Sequence, residues 1–142
     1  MRLIACILLL IIGYNCTSTK TISSPNAVAR LDELNGTWVP IKQEIGGTSL
    51  PHAAFEKQKL IISDSTYTFI AESVDKGVVR YRDYKMDIYG REGVNAGKHF
   101  TARYKLKAWR LTICYNLSGD GYPETFETKG KPRFFLCVFK KE

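Results

Sequence analysis

Apolar and polar residues alternate along several segments of the chain after residue 36. The pattern is clearest in segment 99–107. Its apolar positions are Phe100, Ala102, Tyr104 and Leu106. Successive side chains of a β-strand point to opposite faces, so this alternation predicts a strand with one buried and one solvated face. Segments 84–89 and 109–115 alternate in the same way and are also predicted to be strands.

The alternating segments and the turn residues between them predict about eight short strands. The predicted strands lie at about 37–45, 59–62, 66–71, 78–82, 84–89, 99–107, 109–115 and 133–139. The turns are predicted at 46–47, 63–65, 75–77, 90–97 and 118–132. Eight antiparallel strands joined by short hairpins limit exposed edges either as a closed barrel or as a two-sheet sandwich. The pattern alone does not separate these two folds.

Two short helices complete the predicted elements. Ser24 and Pro25 suit the cap and the first position of a helix, and apolar residues then recur at three-residue spacing as far as Leu34. Asn35-Gly36 ends this lead-in helix. A second helix is predicted from Pro51 to about Lys57.

The N-terminal residues have the layout of an export signal. Arg2 precedes the apolar run Leu3–Ile12, which is too short to cross a bilayer as a helix but suits the apolar region of a secretory signal. Cys16 resembles the lipidated cysteine of bacterial lipoproteins, which implies a protein of the cell envelope held to a membrane by an N-terminal lipid. The alternative is cleavage near Ser18 or Thr19 and a periplasmic or secreted protein. The predicted divisions are a signal at 1–16, a polar tether with the start of the lead-in helix at 17–30, and one folded domain at 31–142.

The charge of the exported part is basic. Without Arg2 it has 20 Lys and Arg against 14 Asp and Glu, a net charge of +6. A basic balance is compatible with nucleic acid or anionic lipid as a partner. The charges are nevertheless scattered singly along the alternating segments, and no block is longer than Lys140-Lys141. The sequence therefore predicts a solvated surface and no nucleic-acid partner.

Three motifs connect the folded domain to a known type of protein. Segment 34–38, Leu-Asn-Gly-Thr-Trp, resembles the opening signature of lipocalins and related calycins. The stretch from about Leu31 to Lys140 is similar to a family of small uncharacterised bacterial lipocalin-like domains that is abundant in planctomycetes. The shared motifs are Leu-x-Gly-Thr-Trp at 34–38, Gly-Gly-x-x-Leu-Pro at 46–51 and Leu-x-Ile-Cys-Tyr at 111–115. This resemblance implies an all-β fold, an antiparallel up-and-down barrel of about eight strands with a short N-terminal helix. It implies no activity.

The resemblance also gives Gly36 and Trp38 a structural role. In lipocalins this tryptophan closes one end of the barrel beneath a basic side chain of the last strand, a cation–π contact worth about 0.5–2 kcal/mol. Arg133 or Lys140 is expected to supply the cation. The apolar residues that follow Trp38 fall on the other face of the strand. Either a bulge at Pro40 resets the alternation, or one set is covered from outside.

A barrel of eight strands has room either for its own side chains or for one small ligand. The candidate ligand-binding residues are Tyr67, Phe69, Met86, Phe100, Tyr104 and Tyr115. Among them, the hydroxyls of Tyr104 and Tyr115 are expected near the open end, where they would orient a small hydrophobic molecule. The alternative is that these side chains fill the core.

Two cysteines fall in the last two predicted strands. If these strands pair as a long hairpin, Cys114 and Cys137 come close to each other, and an exported protein is able to form a disulfide. The alternative is two free thiols that pack separately. Cys114 shares a face with polar residues and Cys137 with phenylalanines, so spacing alone does not choose between the two.

The sequence contains no nucleophile elbow, zinc helix, phosphate loop or Cys-x-x-Cys pair. His52 and His99 are expected to be solvent-exposed, segment 118–121 is expected to be a turn, and Glu124 and Glu127 are expected to be solvated. No catalytic residue, metal ligand or cofactor is predicted. The sequence favours a noncatalytic binding module over a structural or protein-interaction domain with a filled barrel, and both over an enzyme.

Overall fold

The computed structural model describes residues 32–142. The strands are β1 Gly36–Ile45, β2 Thr48–Ser49, β3 Lys59–Ser63, β4 Thr66–Ile70, β5 Val74–Arg82, β6 Lys85–Glu92, β7 His99–Lys107, β8 Arg110–Asn116 and β9 Phe134–Lys141. Residues 32–34 are helical, and His52–Ala54 form one 3-10 turn. Cys16, the export signal and the tether predicted from the sequence lie outside the described residues.

The nine strands form one antiparallel sheet in the order β2-β1-β3-β4-β5-β6-β7-β8-β9, and β1 also pairs with β9. This last pairing closes eight strands into a barrel, while the short β2 pairs only with the end of β1. Strand β1 serves both neighbours because its first residues pair with β3 and most of its length pairs with β9. The predicted antiparallel barrel is confirmed, and the sandwich is excluded.

Of the two alternatives for the first strand, the structure shows the bulge. The register of β1 against β9 shifts between Pro40 and Lys42, which leaves Ile41 as the extra residue, 38% exposed. In a regular strand, residues five positions apart lie on opposite faces. Because of this shift, Trp38 and Gln43 lie on the same face and are both buried. A bulge inserts one residue in a strand and so exchanges its two faces.

Strand β5 is longer than the sequence pattern predicted. Residues 75–77, expected as a turn, lie inside β5, and the chain reverses at 71–73. Gly77 is needed for a close approach, since a Cβ at this position would lie 2.1 Å from the carbonyl oxygen of Tyr89 and 2.7 Å from the ring of Tyr67. A glycine inside a strand often marks such an approach, so interpreting it as a turn residue was wrong. The second predicted helix, Pro51 to about Lys57, is reduced to the 3-10 turn.

The long segment 117–133 packs on the outside of the barrel. Two residues of this segment, Pro123 and Thr128, are fully buried. Thr101 Oγ1 donates a hydrogen bond to the carbonyl of Gly121 at 2.5 Å, and Arg103 Nε donates to the carbonyl of Pro123 at 2.7 Å. These contacts bury outward-facing residues of β7 and β8 that a bare barrel would expose. None of the helical residues in the described part of the chain forms a helix long and apolar enough to cross a membrane.

Candidate ligand-binding cavity

One end of the barrel is closed by Trp38. Its side chain is 0% exposed, and its Nε1 donates a 2.8 Å hydrogen bond to the carbonyl oxygen of Leu34, which is itself buried. Lys141 lies directly opposite Trp38 on β9, and its Nζ is 5.2 Å from the centre of the Trp38 ring. A cation at this distance from an indole ring is attracted to the ring face. Leu34, Trp38 and Lys141 therefore form a plug.

The prediction that Arg133 or Lys140 covers the tryptophan was wrong. Lys140 pairs with Val39 and Arg110, so its exposed side chain points outward, one position out of phase with Lys141. Arg133 lies just before β9, at the opposite end of the barrel. Gly36 belongs to the plug as predicted: it has a φ of +129°, and a Cβ there would lie 2.8 Å from Lys141 Cε.

Beyond the plug, the other half of the barrel encloses a cavity of about 600 Å³. Aliphatic side chains and Met86 make up part of its wall. Six aromatic side chains complete it: Tyr67, Phe69, Tyr81, Phe100, Tyr115 and Phe135. These rings face inward and yet are only partly buried, so the cavity is continuous with solvent at the end away from Trp38. This size and apolar lining are typical of sites for small molecules.

Five of the six predicted ligand-binding residues line this cavity: Tyr67, Phe69, Met86, Phe100 and Tyr115. Tyr104 does not line it. Its side chain is 7% exposed and packs against Tyr81, with ring centres 5.9 Å apart, so it belongs to the filled half of the barrel. Tyr81 and Phe135 also line the cavity and were not predicted from the sequence. Tyr81 lies two residues from the buried Val79, and Phe135 two residues from the buried Cys137. This spacing predicts that both rings face the interior.

The tyrosine hydroxyls of the cavity are held in the neutral form. Burial raises the pKa of Tyr67, and the carboxylate of Asp75 adds to this rise. Burial likewise raises the pKa of Tyr81 and of Tyr115 well above the ordinary tyrosine range. Within residues 32–142, Tyr81 Oη is the buried side-chain polar atom without a hydrogen-bond partner. The deep part of the cavity thus presents uncharged phenols.

The mouth of the cavity is polar. Asp75 is buried there, and its carboxylate accepts hydrogen bonds from the backbone N–H of Asn95 at 2.9 Å and from Asn95 Nδ2 at 3.2 Å. Lys98 Nζ donates to Asn95 Oδ1 at 3.2 Å. Lys98 and Arg133 are exposed at this rim and are in contact with the cavity. The carboxylate of Asp75 is therefore hydrogen-bonded to Asn95, while the cations Lys98 and Arg133 face the opening.

Cys114 and Cys137 are free, as in the second of the two alternatives from the sequence. Cys137 pairs with Ile113, whereas Cys114 pairs with Leu136, so the two side chains lie on opposite faces of the sheet. Cys137 is inside the barrel, where Gln43 Nε2 lies 3.6 Å from its Sγ, and Cys114 is buried on the outer face. Burial raises the pKa of Cys137 to about 12 and that of Cys114 to about 11. The structure therefore contains no Cys114–Cys137 disulfide.

The histidines lie outside the cavity. His99 Nε2 is 2.9 Å from Asp87 Oδ1, and Tyr122 Oη donates a 2.6 Å hydrogen bond to Asp87 Oδ2. Burial opposes the charge of Asp87, but the hydrogen bonds from Tyr122 and His99 outweigh it and lower the pKa of this carboxyl. His99 also stacks on Tyr89; it lies on the outer face of the strand as predicted, with 36% of its side chain exposed. His52 is exposed as predicted, 3.7 Å from Glu56.

The loop that includes Ser118 and Asp120 is a turn held by Asn116. Asn116 Nδ2 donates to Asp120 Oδ1 at 2.8 Å, and Asn116 Oδ1 accepts from the backbone N–H of Ser118 at 3.0 Å. Over residues 32–142, no three His, Cys, Asp or Glu side chains are grouped so that they could hold a metal ion. The cavity is thus the concave site with the most developed lining in the described part of the chain.

Comparison of the chain with models of protein families, with curated proteins and with solved structures finds no match.

Proposed function

We propose that this protein is a noncatalytic binding module that holds one small, mostly apolar molecule in its barrel. The cavity of about 600 Å³ carries this proposal, because its wall is aromatic and aliphatic while a plug of side chains closes only one end. Sites for small ligands usually measure about 300–1,000 Å³ and combine an apolar wall with a few polar groups. The resemblance to lipocalin-like domains, noted from segments 34–38, 46–51 and 111–115, implies the barrel in which this cavity lies and no activity.

The charges of the cavity favour one orientation of the ligand. No charged side chain lines the deep part, where Tyr81 and Met86 lie, whereas Lys98 and Arg133 stand at the mouth. Burial of an unpaired charge is costly, so the apolar body of the ligand belongs inside and its polar or anionic group at the rim. The carboxylate of Asp75 also lies at the mouth, but the two cations Lys98 and Arg133 outnumber it, so the net charge there still favours an anionic group.

We further propose that the protein is exported to the cell envelope and attached to a membrane through a lipid on Cys16. The basic start at Arg2, the apolar run Leu3–Ile12 and the polar residues after Cys16 support this location. A mature mass that includes a diacylglycerol on Cys16 would support attachment. A mature chain that starts after Cys16 would contradict it.

Binding can be tested with the apolar fluorescent probe N-phenyl-1-naphthylamine. Val79 is buried and lines the cavity, so Val79→Phe places a ring in the space that the probe would occupy. Val74 lies on the same strand but is 46% exposed and does not line the cavity, so Val74→Phe is the matched control. We expect wild type and Val74→Phe to bind one probe per chain. Val79→Phe should bind at least about tenfold more weakly, which corresponds to about 1.4 kcal/mol.

Circular dichroism and urea unfolding would first establish that both variants fold. Equal binding by all three proteins would place the probe outside the barrel and contradict the proposal. Absence of binding to wild type, including by ligands that carry a carboxylate, would favour the structural or interaction domain instead.

A further inference from the structure

The outer face of β7, β8 and β9 collects cations that are far apart in the sequence. Lys107 pairs with Arg110, and Arg110 pairs with Lys140, so three basic residues stand in a row across three neighbouring strands. Alternation places all three side chains outward, and all three are exposed. Lys105 follows on the same face of β7, one side-chain position along. The charges that looked scattered in the sequence thus form a basic face.

This row of like charges has no internal compensation. Among residues 32–142, no salt bridge or side-chain hydrogen bond involves Lys107, Arg110 or Lys140. Glu142, the acid nearest to this row along the chain, is paired with Lys59 at 2.5 Å. Like charges directly opposite each other on neighbouring strands destabilise a sheet. An anion bound from outside would relieve this repulsion.

A shallow groove runs along the same face. It encloses about 440 Å³ and is lined by three cations, Lys105, Lys107 and Arg110, together with Ala108, Thr112 and Val138. No acidic side chain lines it. The groove therefore offers cationic groups and the hydroxyl of Thr112 beside an apolar floor.

Trp109 projects from the turn next to this groove. At 76% exposure it is the most exposed of the large apolar side chains in the described residues. Ala108 and Trp109 have φ values of 49° and 62° in the tight turn between β7 and β8. The left-handed region costs a residue with a side chain about 1–2 kcal/mol and is usually occupied by Gly, Asn or Asp in such turns. Tyr84 has a similar φ in the turn after β5, but its ring packs against Tyr104 with centres 5.8 Å apart.

We propose that this basic face and Trp109 bind the surface of an anionic lipid bilayer. Indole rings favour the boundary between lipid headgroups and acyl chains, and each Lys or Arg close to an anionic surface contributes about 1 kcal/mol. The combination of one projecting Trp109 with the uncompensated row of Lys107, Arg110 and Lys140 suits a flat charged surface. A single-stranded nucleic acid would instead call for several aromatic rings on which successive bases stack.

The position of the N-terminal side supports this orientation. Trp109 lies at the plugged end, since its neighbour Arg110 pairs with Lys140, next to Lys141 of the plug. Residues 32–34 enter the barrel at the same end, where Leu34 contacts Trp38. From Cys16, residues 17–31 span roughly 50 Å at most. The proposed lipid anchor and the basic face would therefore meet the same membrane, and the mouth of the cavity would face away from it.

The test measures tryptophan fluorescence of the mature chain, which begins at residue 16 and lacks the apolar run Leu3–Ile12, with Cys16→Ser to prevent lipid attachment. The chain has two tryptophans, and Trp38 is fully buried, so changes on binding report Trp109. We expect vesicles of equal parts phosphatidylcholine and phosphatidylglycerol to shift the emission to the blue and to permit quenching by doxyl-labelled lipid. Pure phosphatidylcholine vesicles should produce neither effect. Added salt should weaken the response, because it screens surface charge.

Two variants and a control make this test specific. Each charge removed should weaken vesicle binding by somewhat less than about tenfold. The variant K107Q/R110Q/K140Q should therefore lose about a hundredfold in vesicle affinity. The control K57Q/R91Q/K129Q removes the same charge from exposed positions elsewhere and should lose far less. Trp109→Gly, followed by sedimentation with vesicles, should bind more weakly and unfold at no lower urea concentration, because glycine relieves the turn.

Three results would overturn the proposal. The first is an equal response of Trp109 to neutral and to anionic vesicles. The second is an equal loss of affinity in the control and in K107Q/R110Q/K140Q, which would indicate net charge and not this face. The third is quenching of Trp109 by a single-stranded oligonucleotide without a response to vesicles. Failure of these measurements leaves the cavity proposal intact, because the probe titration with Val79→Phe is independent of them.

Discussion

The two ends of the barrel are formed by the same strands but are filled differently. At the closed end, Trp38, Leu34 and Phe139 are almost fully buried, and Lys141 covers the indole ring. At the open end, inward-facing rings such as Phe135 line a cavity of about 600 Å³. An eight-stranded barrel is wide enough for side chains or for one small ligand. In this chain side chains fill one half of the barrel and leave a cavity in the other, so the residues that stabilise the fold differ from those proposed to bind a ligand.

Strand β9 runs through both halves. Phe135, Cys137 and Phe139 all point inward, in this order from the cavity to the plug. Phe139 is 1% exposed, Cys137 is 0% exposed, and Phe135 is only partly buried. Substitutions along this strand therefore compare the two halves within one element.

The largest expected effect is on stability when a ring is removed from the plugged half. Phe139→Ala should lower the free energy of unfolding by about 3–5 kcal/mol, because it removes a fully packed ring and leaves a cavity. Phe135→Ala should cost only about 1–2 kcal/mol, since part of its ring already faces open space. Urea unfolding of both variants measures the difference. Equal costs would mean that the two halves are equally filled.

The second prediction concerns Cys137, which lies between the cavity and the plugged half of the barrel. Burial raises the folded pKa of Cys137 to about 12 and of Cys114 to about 11, above the ordinary value of 9.0. An acid whose pKa is raised by folding stabilises the fold below its unfolded pKa, and this stability is lost as the pH rises through 9 towards the folded value. Because each thiol ionises more readily in the unfolded chain, each should lower the free energy of unfolding by about 1 kcal/mol between pH 8 and pH 10.

The matched controls are Cys137→Ala and Cys114→Ala, each of which should remove about half of the pH-dependent loss attributed to the thiols. Urea unfolding at pH 8 and pH 10 measures that loss independently of the baseline stability of each variant. An unchanged loss in Cys137→Ala would show that water reaches this thiol through the cavity.

The smallest expected effect concerns the cation above the plug. Lys141→Gln should lower the free energy of unfolding by about 0.5–1 kcal/mol, because it removes the charge over the Trp38 ring. Lys140→Gln, one residue away on the outer face, should change it by less than about 0.5 kcal/mol. A larger loss of stability in Lys140→Gln than in Lys141→Gln, measured by thermal or urea unfolding, would mean that Lys140 covers the tryptophan.

Much of the fold could be predicted from the alternation of residues. The eight barrel strands are as expected, the bulge near Pro40 is one of the two alternatives given, and five of the six proposed ligand-binding residues line the cavity. Binary patterning fixes which side chains share a face, and this is sufficient to locate an interior. The plug residues Gly36 and Trp38 were also found, in this case through the lipocalin resemblance.

The errors have a common physical cause. Lys141 was missed because the register of β9 against β1 determines which cation lies above Trp38. The pattern of residues within one strand does not specify this register. Register also separates Cys114 from Cys137 and aligns Lys107, Arg110 and Lys140. Tyr104 was misplaced because its depth in the barrel depends on where the plug ends. Gly77 was taken for a turn residue, although it makes room for Tyr67 and Tyr89.

The hollow half of the barrel is tested most directly by X-ray diffraction from crystals soaked with 6-bromo-2-naphthol. Bromine scatters anomalously, so its position is located independently of the protein coordinates. We expect one bromine site inside the barrel, in contact with Phe69, Phe100 and Phe135, and away from the Trp38 plug. A bromine bound only on the outer surface, or side chains that fill the space between these three rings, would contradict it.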